Sequence, residues 1–120
     1  MKKLKIFYYS PSVPSTHTSI FFSTPPLYLN SYLRVNDPDL AESIEWQKLH
    51  FLYMTQEQLA SKLNELDTDI LCVTLYIWNQ RETLAVLQGL KKLLKKDLTI
   101  IVGGPSTDVV KSFFSSFFSP

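Results

Sequence analysis

The chain has 120 residues, 45% of them hydrophobic and 19% charged, with a formal net charge of +1. That is enough for one small domain around one core, and it excludes a chain too polar to fold. The near-neutral charge also argues against a nucleic-acid or anionic-membrane surface, which needs clustered excess lysine and arginine.

In chain order, Leu4 to Tyr9 ("LKIFYY") reads as a first strand, ended by the proline-, serine- and threonine-rich loop "SPSVPSTHTS". The basic start and short apolar run that follow Met1 are too brief for a secretory h-region, and no stretch reaches the length of a membrane span. Pro25 and Pro26 then open a helix, with Leu27, Leu29, Tyr32 and Leu33 at roughly helical spacing. "NDPDLAESIEW" connects it, with room for one helical turn, to a second strand expected over "QKLHFLYM", with Leu49, Phe51 and Tyr53 on one face.

"TQEQLASKLNEL" is a marked helix. Thr55 is an N-cap, Gln58 completes a capping box, and Leu59, Leu63 and Leu66 form the apolar stripe. Asp67 to Asp69 end it. "ILCVTLY" is apolar throughout, as fits an interior parallel strand. A helix is expected from about Gln80 to Lys95, carrying Leu84, Leu87, Leu90, Leu93 and Leu94. The late lysines Lys91, Lys92, Lys95 and Lys96 suit a helix C-terminus and a solvated face. "LTIIV" from Leu98 to Val102 is a fourth interior strand. In the last segment Val109, Val110, Phe113, Phe114, Phe117 and Phe118 recur on one helical face, capped by Ser106 or Thr107. Its aromatic surface needs a cover, and a further strand beyond Pro120 would be natural, so residues 1–120 read as one domain incomplete at its C-terminus.

The order β-α-β-α-β-α-β-α predicts an α/β fold: a three-layer, Rossmann-like (flavodoxin-like) parallel sheet with right-handed crossovers and helices on both faces. In such sheets ligands bind outside the carboxyl ends of the strands. That rule selects the loops Ser10–Ser19, Met54–Thr55, Tyr76–Asn79 and Gly103–Ser106, the last two expected as neighbours at the sheet's centre.

Two of the three glycines in the chain, Gly103 and Gly104, stand together at one strand end. They permit positive φ and close approach of a ligand, and the following helix would offer N–H groups to an anion; Gly-Gly-Pro is equally ordinary turn punctuation. Thr74 either hydrogen-bonds a ligand or bonds its neighbours. Trp78 either stacks on a flat ligand or covers a helix, and its indole N–H needs a partner. His17 lies where a lower-axial histidine occurs in some cofactor folds, though a lone loop histidine is usually exposed. His50 is a strand residue. The single cysteine, Cys72, sits in an apolar strand as a small core residue, so cysteines of this chain build neither a zinc nor an iron–sulfur site. There is no Gly-x-Gly-x-x-Gly, Walker loop or nucleophile elbow, and no carboxylate pair at the strand ends for acid–base hydrolysis.

The stretch "DILCVTLYIWNQRETLAVLQGLKKLLKKDLTIIVGGPSTD", Asp69 to Asp108, resembles the amino-terminal cobalamin-binding domain of cobalamin-dependent radical S-adenosylmethionine enzymes. The elements that carry the likeness are the apolar strand, Thr74, the turn Tyr76-Ile77-Trp78-Asn79, the leucine-rich helix, and Val102-Gly103-Gly104-Pro105. "PPLYLNSYLR" looks like that family's first helix. The resemblance implies cobalamin across the carboxyl ends of the strands. Tyr76, Ile77, Trp78 and Asn79 would approach the corrin's lower face, Gly103 and Gly104 would make room for the nucleotide tail, and Pro105 would also belong to the cofactor-binding set. Thr74-Leu75-Tyr76 stands in the Ser-x-Leu place of other cobalamin modules. Of their Asp-x-His-x-x-Gly motif "STHTSI" keeps only His17, without the aspartate that would orient it, so cobalt without a protein histidine ligand is expected. The three-cysteine motif of the radical domain is missing, so the chain is expected not to be catalytic alone.

The leading expectation is therefore a cytoplasmic, corrinoid-binding module of a radical S-adenosylmethionine methyltransferase-like enzyme, with no iron–sulfur cluster of its own. Its partners would be a radical domain or a second copy met through the aromatic C-terminal helix, not nucleic acid or membrane. The alternative is a cofactor-free Rossmann-like interaction domain or a degenerate remnant. An enzyme of flavodoxin-like type would need a catalytic set that these residues do not supply.

Overall fold

A computed structural model describes residues 2–11, 28–50, 52–76 and 78–104, with residues 48–50 by backbone alone. The elements in order are β1 (Leu4–Tyr9), α1 (residues 28–36), α2 (Pro38–Glu42), β2 (Ile44–His50), α3 (Gln56–Leu66), β3 (Ile70–Thr74), α4 (Gln80–Leu87), a 3-10 turn (Leu90–Leu93) and β4 (Thr99–Gly103). The four strands form one all-parallel sheet in the order β2-β1-β3-β4. This is the α/β, Rossmann-like (flavodoxin-like) architecture that the alternating pattern predicted. The aromatic C-terminal segment, Pro25, Pro26 and Phe51 lie outside the described residues.

Strand alternation sorts the side chains between two layers. Phe7, Tyr9, Leu71, Val73 and Leu75 face one side, where Leu59 and Leu63 of α3 and Leu84 and Leu87 of α4 close the main core over them. Ile6 and Tyr8 are buried on the opposite side. There Ile44 and Trp46 line one groove with Asn30 and Arg34 of α1 and Ala41 of α2. Right-handed crossovers require this division: the β1–β2 connection moves one way along the sheet, and the next two move the other way.

The starts of the helices follow local chemistry. The Thr55 hydroxyl accepts from the Gln58 amide at 3.1 Å, and Gln58 Oε1 accepts from the Thr55 amide at 3.0 Å, the expected capping box. Asp67 ends α3 in the left-handed conformation, at φ 53°. Asp67 and Asp69 then receive Lys96 Nζ at 2.8 and 2.9 Å, and the Lys5 amide donates to Asp69 at 2.8 Å. The late lysine thus staples the amino ends of β1 and β3 to the segment that leads into β4.

The main differences from the sequence reading concern β2, α4 and β4, besides β3 ending at Thr74 and β4 shifting by one residue. β2 begins at Ile44, three residues before the expected start at Gln47, and ends at His50. Ile44-Glu45-Trp46 pairs with Leu4-Lys5-Ile6 of β1 and is extended, and Gln47 has no partner opposite it between Ile6 and Phe7. That bulge turns the Gln47 side chain to Leu66 O at 2.6 Å and to the Thr68 hydroxyl at 2.6 Å.

The helix expected to reach Lys95 stops at Leu87. Gly89 takes φ +80°, and the side chain of Gln56 on α3 donates to the terminal carbonyls of Val86, at 2.9 Å, and Gln88. Those orphan acceptors are what an α-helix must satisfy to stop there. Leu90 still reaches the core from the 3-10 turn.

β4 is not interior among the described residues. It pairs only with β3 there, and Ile101 is half exposed. β1 and β3 are the central strands.

Candidate functional site

The order β2-β1-β3-β4 reverses direction between β1 and β3. That switch point is where loops part outside the carboxyl ends of an open sheet. Ser10 and Pro11 leave β1 on one side, and Leu75 to Asn79 leave β3 on the other.

Thr74 is the last residue of β3 and lies in register beside Gly103 of β4. It is buried, and its hydroxyl shares a hydrogen bond with the Tyr8 hydroxyl on β1. Tyr9, one residue on and on the opposite face, accepts from the Met54 amide at 3.0 Å. Burial pushes both phenols above the ordinary tyrosine range, so they serve near neutral pH as hydrogen-bonding groups rather than phenolates.

Asn79 is fully buried. Its Oδ1 accepts from the Tyr76 amide at 2.8 Å; its Nδ2 donates to Pro11 O at 2.9 Å and Thr74 O at 3.1 Å. Tyr76 and Trp78 stack with ring centroids 4.5 Å apart and planes 5° from parallel. Trp78 is half exposed, and the Tyr53 hydroxyl donates to its carbonyl at 3.4 Å. The aromatic crossover therefore packs first on itself, with the tryptophan on the outside.

The two glycines play different parts. Gly104 takes φ +102°, and a Cβ there would stand 2.5 Å from Leu75 O and 2.9 Å from Leu75 N. Its missing side chain lets two backbones meet. A Cβ on Gly103 would meet nothing within 4 Å among the described residues, and Gly103 is exposed among them at the end of β4.

The structure thus brings Thr74, Tyr76, Trp78, Asn79, Gly103 and Gly104 to one corner of the sheet. Ile77, Pro105 and His17 lie outside the described residues. His50 ends β2. Tyr8, Tyr53 and Pro11 belong to this corner and are not evident from the sequence, because strand register and the meeting of distant loops decide their contacts. Cys72 is partly buried, and burial holds its thiol above the ordinary range, which fits a packed residue and not a nucleophile.

For a large flat cofactor, two features suit: the open end at Gly103 and the outward Trp78 stack. Two of the expected contacts are spent within the fold instead, namely the Thr74 hydroxyl on Tyr8 and the Asn79 carboxamide on three backbone groups. A groove of about 600 Å³ runs along α3 from Leu52, Tyr53 and Met54 to Glu65 and reaches this corner only at Tyr53. No group of histidine, cysteine, aspartate and glutamate among the described residues is arranged to hold a metal ion. Nor is any described helix long and apolar enough to cross a membrane.

The strand order defines a parallel α/β protein of Rossmann-like (flavodoxin-like) architecture. Compared with protein-family models and with curated proteins, the sequence matches none at a significant level.

Proposed function

We propose that this chain is a cytoplasmic corrinoid-binding α/β module that carries its cofactor over the carboxyl ends of β1, β3 and β4 and depends on a partner domain for chemistry. The single observation that supports it most is the open corner at Gly103. It lies in register beside Thr74, next to a half-exposed aromatic stack at the sheet's switch point. The resemblance of Asp69–Asp108 to the cobalamin domains of radical S-adenosylmethionine enzymes supplies the cofactor class. When bound, the corrinoid would supply a methyl group or electrons to a reaction run elsewhere. The chain's own part is to present Trp78 to a flat face and leave the end of β4 clear.

The test is an absorbance titration of the purified protein with hydroxocobalamin, with Gly103→Trp as the blocking variant. Gly103 is the right choice because a Cβ there meets no described atom within 4 Å, and circular dichroism of the variant checks that it folds. Saturable shifts of the corrin bands that vanish in Gly103→Trp support the reading. A flat titration on folded wild-type protein sinks it.

A second reading, a cofactor-free interaction domain, is favoured by one observation. The most polar groups of the corner, Thr74 and Asn79, are already hydrogen-bonded inside the fold, as a domain without a ligand needs. The same flat titration would favour it.

A further inference from the structure

We infer that Asn79 is the positioning residue of this corner: it sets the separation of the loops after β1 and β3 without touching the ligand. The inference rests on the binding reading above. Asn79 has no exposed surface, so its carboxamide is not on offer to a bound molecule. A carboxamide has two N–H donors and one acceptor oxygen. Both donors and the acceptor are used, on Pro11 O, Thr74 O and the Tyr76 amide.

These partners sit on opposite sides of the switch point. The Tyr76 and Thr74 contacts are local and shape the turn into α4. The Pro11 contact spans 68 residues and joins that turn to the end of β1. Two backbone carbonyls, one from each loop, are held by one side chain, which ties the two loops together. The nearby hydroxyls do not share this task. Ser10 Oγ, beside Pro11, and Thr83 Oγ1, one helical turn beyond Asn79, are buried with no hydrogen-bond partner among the described residues. Aspartate at position 79 would keep the acceptor for Tyr76 and lose both donors, setting a carboxylate against two carbonyl oxygens. Alanine would lose all three bonds.

The test compares wild type with N79D and N79A, and with T83V as a nearby control. Hydroxocobalamin affinity is read by absorbance at a temperature where each unfolding curve shows a folded protein. Backbone shifts and amide exchange are read by NMR. The expected result is binding weakened tenfold or more in both Asn79 variants and unchanged in T83V. In N79D the Tyr76 amide should still exchange slowly, while Ser10 and Leu75 shift. If N79A does not fold, N79D carries the comparison. Folded Asn79 variants that bind as wild type overturn the inference. If wild type itself does not bind, the corrinoid reading fails and the NMR arm decides. Changes at Ser10 as well as Leu75–Trp78 in N79D support the positioning role, and changes confined to 76–80 overturn it.

Discussion

The α-carbon of Gly104 rests against the backbone of Leu75, so close that a Cβ would fall 2.5 Å from the Leu75 carbonyl oxygen. The loop after β4 thereby locks onto the loop after β3, next to the bond that the Leu75 amide makes to Gly103 O at 2.8 Å. Gly104→Ala must move one backbone or the other and also strain a φ of +102°. The expected cost is about 2 kcal/mol or more, against less than about 1 kcal/mol for Gly103→Ala. Paired urea denaturation curves check the difference; equal costs would show that the loops part freely.

Gln56 is the first residue of α3, yet it finishes α4, through its bonds to Val86 O and Gln88 O. Gln56→Ala leaves two helix-end carbonyls without that donor. A loss of about 1 kcal/mol is expected. Faster amide exchange should appear around residues 86–90, while the first turn of α4 stays protected. Uniform exchange changes along α4 would contradict this end-capping role.

Lys96 contributes to both pH limbs of stability. Its ammonium holds Asp67 below the ordinary carboxylate range, and the Lys5 amide, followed by Lys96, does the same for Asp69. Carboxyls lowered on folding stabilise the protein above their unfolded value, about 3.9, and that stabilisation is lost as pH falls through the lower folded values. Lys96 itself is raised by the two aspartates, so its share is complete below the unfolded lysine value and disappears as pH rises through the folded one. In Lys96→Met the part of the alkaline loss owed to this lysine should vanish, while the part owed to the buried Tyr8 and Tyr9 phenols and the Cys72 thiol stays. The acid slope should become shallower but not flat, because the Lys5 amide still holds Asp69. Chemical denaturation across pH checks both limbs.

Thr83 is buried without a partner for its hydroxyl among the described residues. Thr83→Val keeps the shape and removes the unsatisfied group. Stability is expected to stay level or rise by up to about 1 kcal/mol. A loss beyond that, measured by thermal and urea unfolding, would mean that the hydroxyl has a bonded partner.

Much of the fold was legible because its signals are local. The Thr55–Gln58 capping box, the apolar run from Ile70 to Thr74 and the Leu59/Leu63 stripe each declare an element within a few residues. Alternation of such elements was sufficient for a parallel α/β sheet. The early start of β2 was not legible, since Ile44-Glu45-Trp46 become a strand only by pairing with Leu4, Lys5 and Ile6. Nor was the end of α4, which Gly89 and a distant glutamine impose on a leucine pattern that continues past it.

At the site, the sequence by itself determined which residues stand at strand ends: Thr74, the Tyr76–Asn79 turn, and Gly103-Gly104. Only the tertiary structure decided what each one does there. Register set Thr74 beside Tyr8, the close approach of two loops reserved Gly104 for Leu75, and burial committed Asn79 to Pro11 across the switch point. The reason is physical: a strand end follows from the local pattern of side chains, whereas a hydrogen-bond partner far along the chain exists only once the sheet order has brought the two loops together.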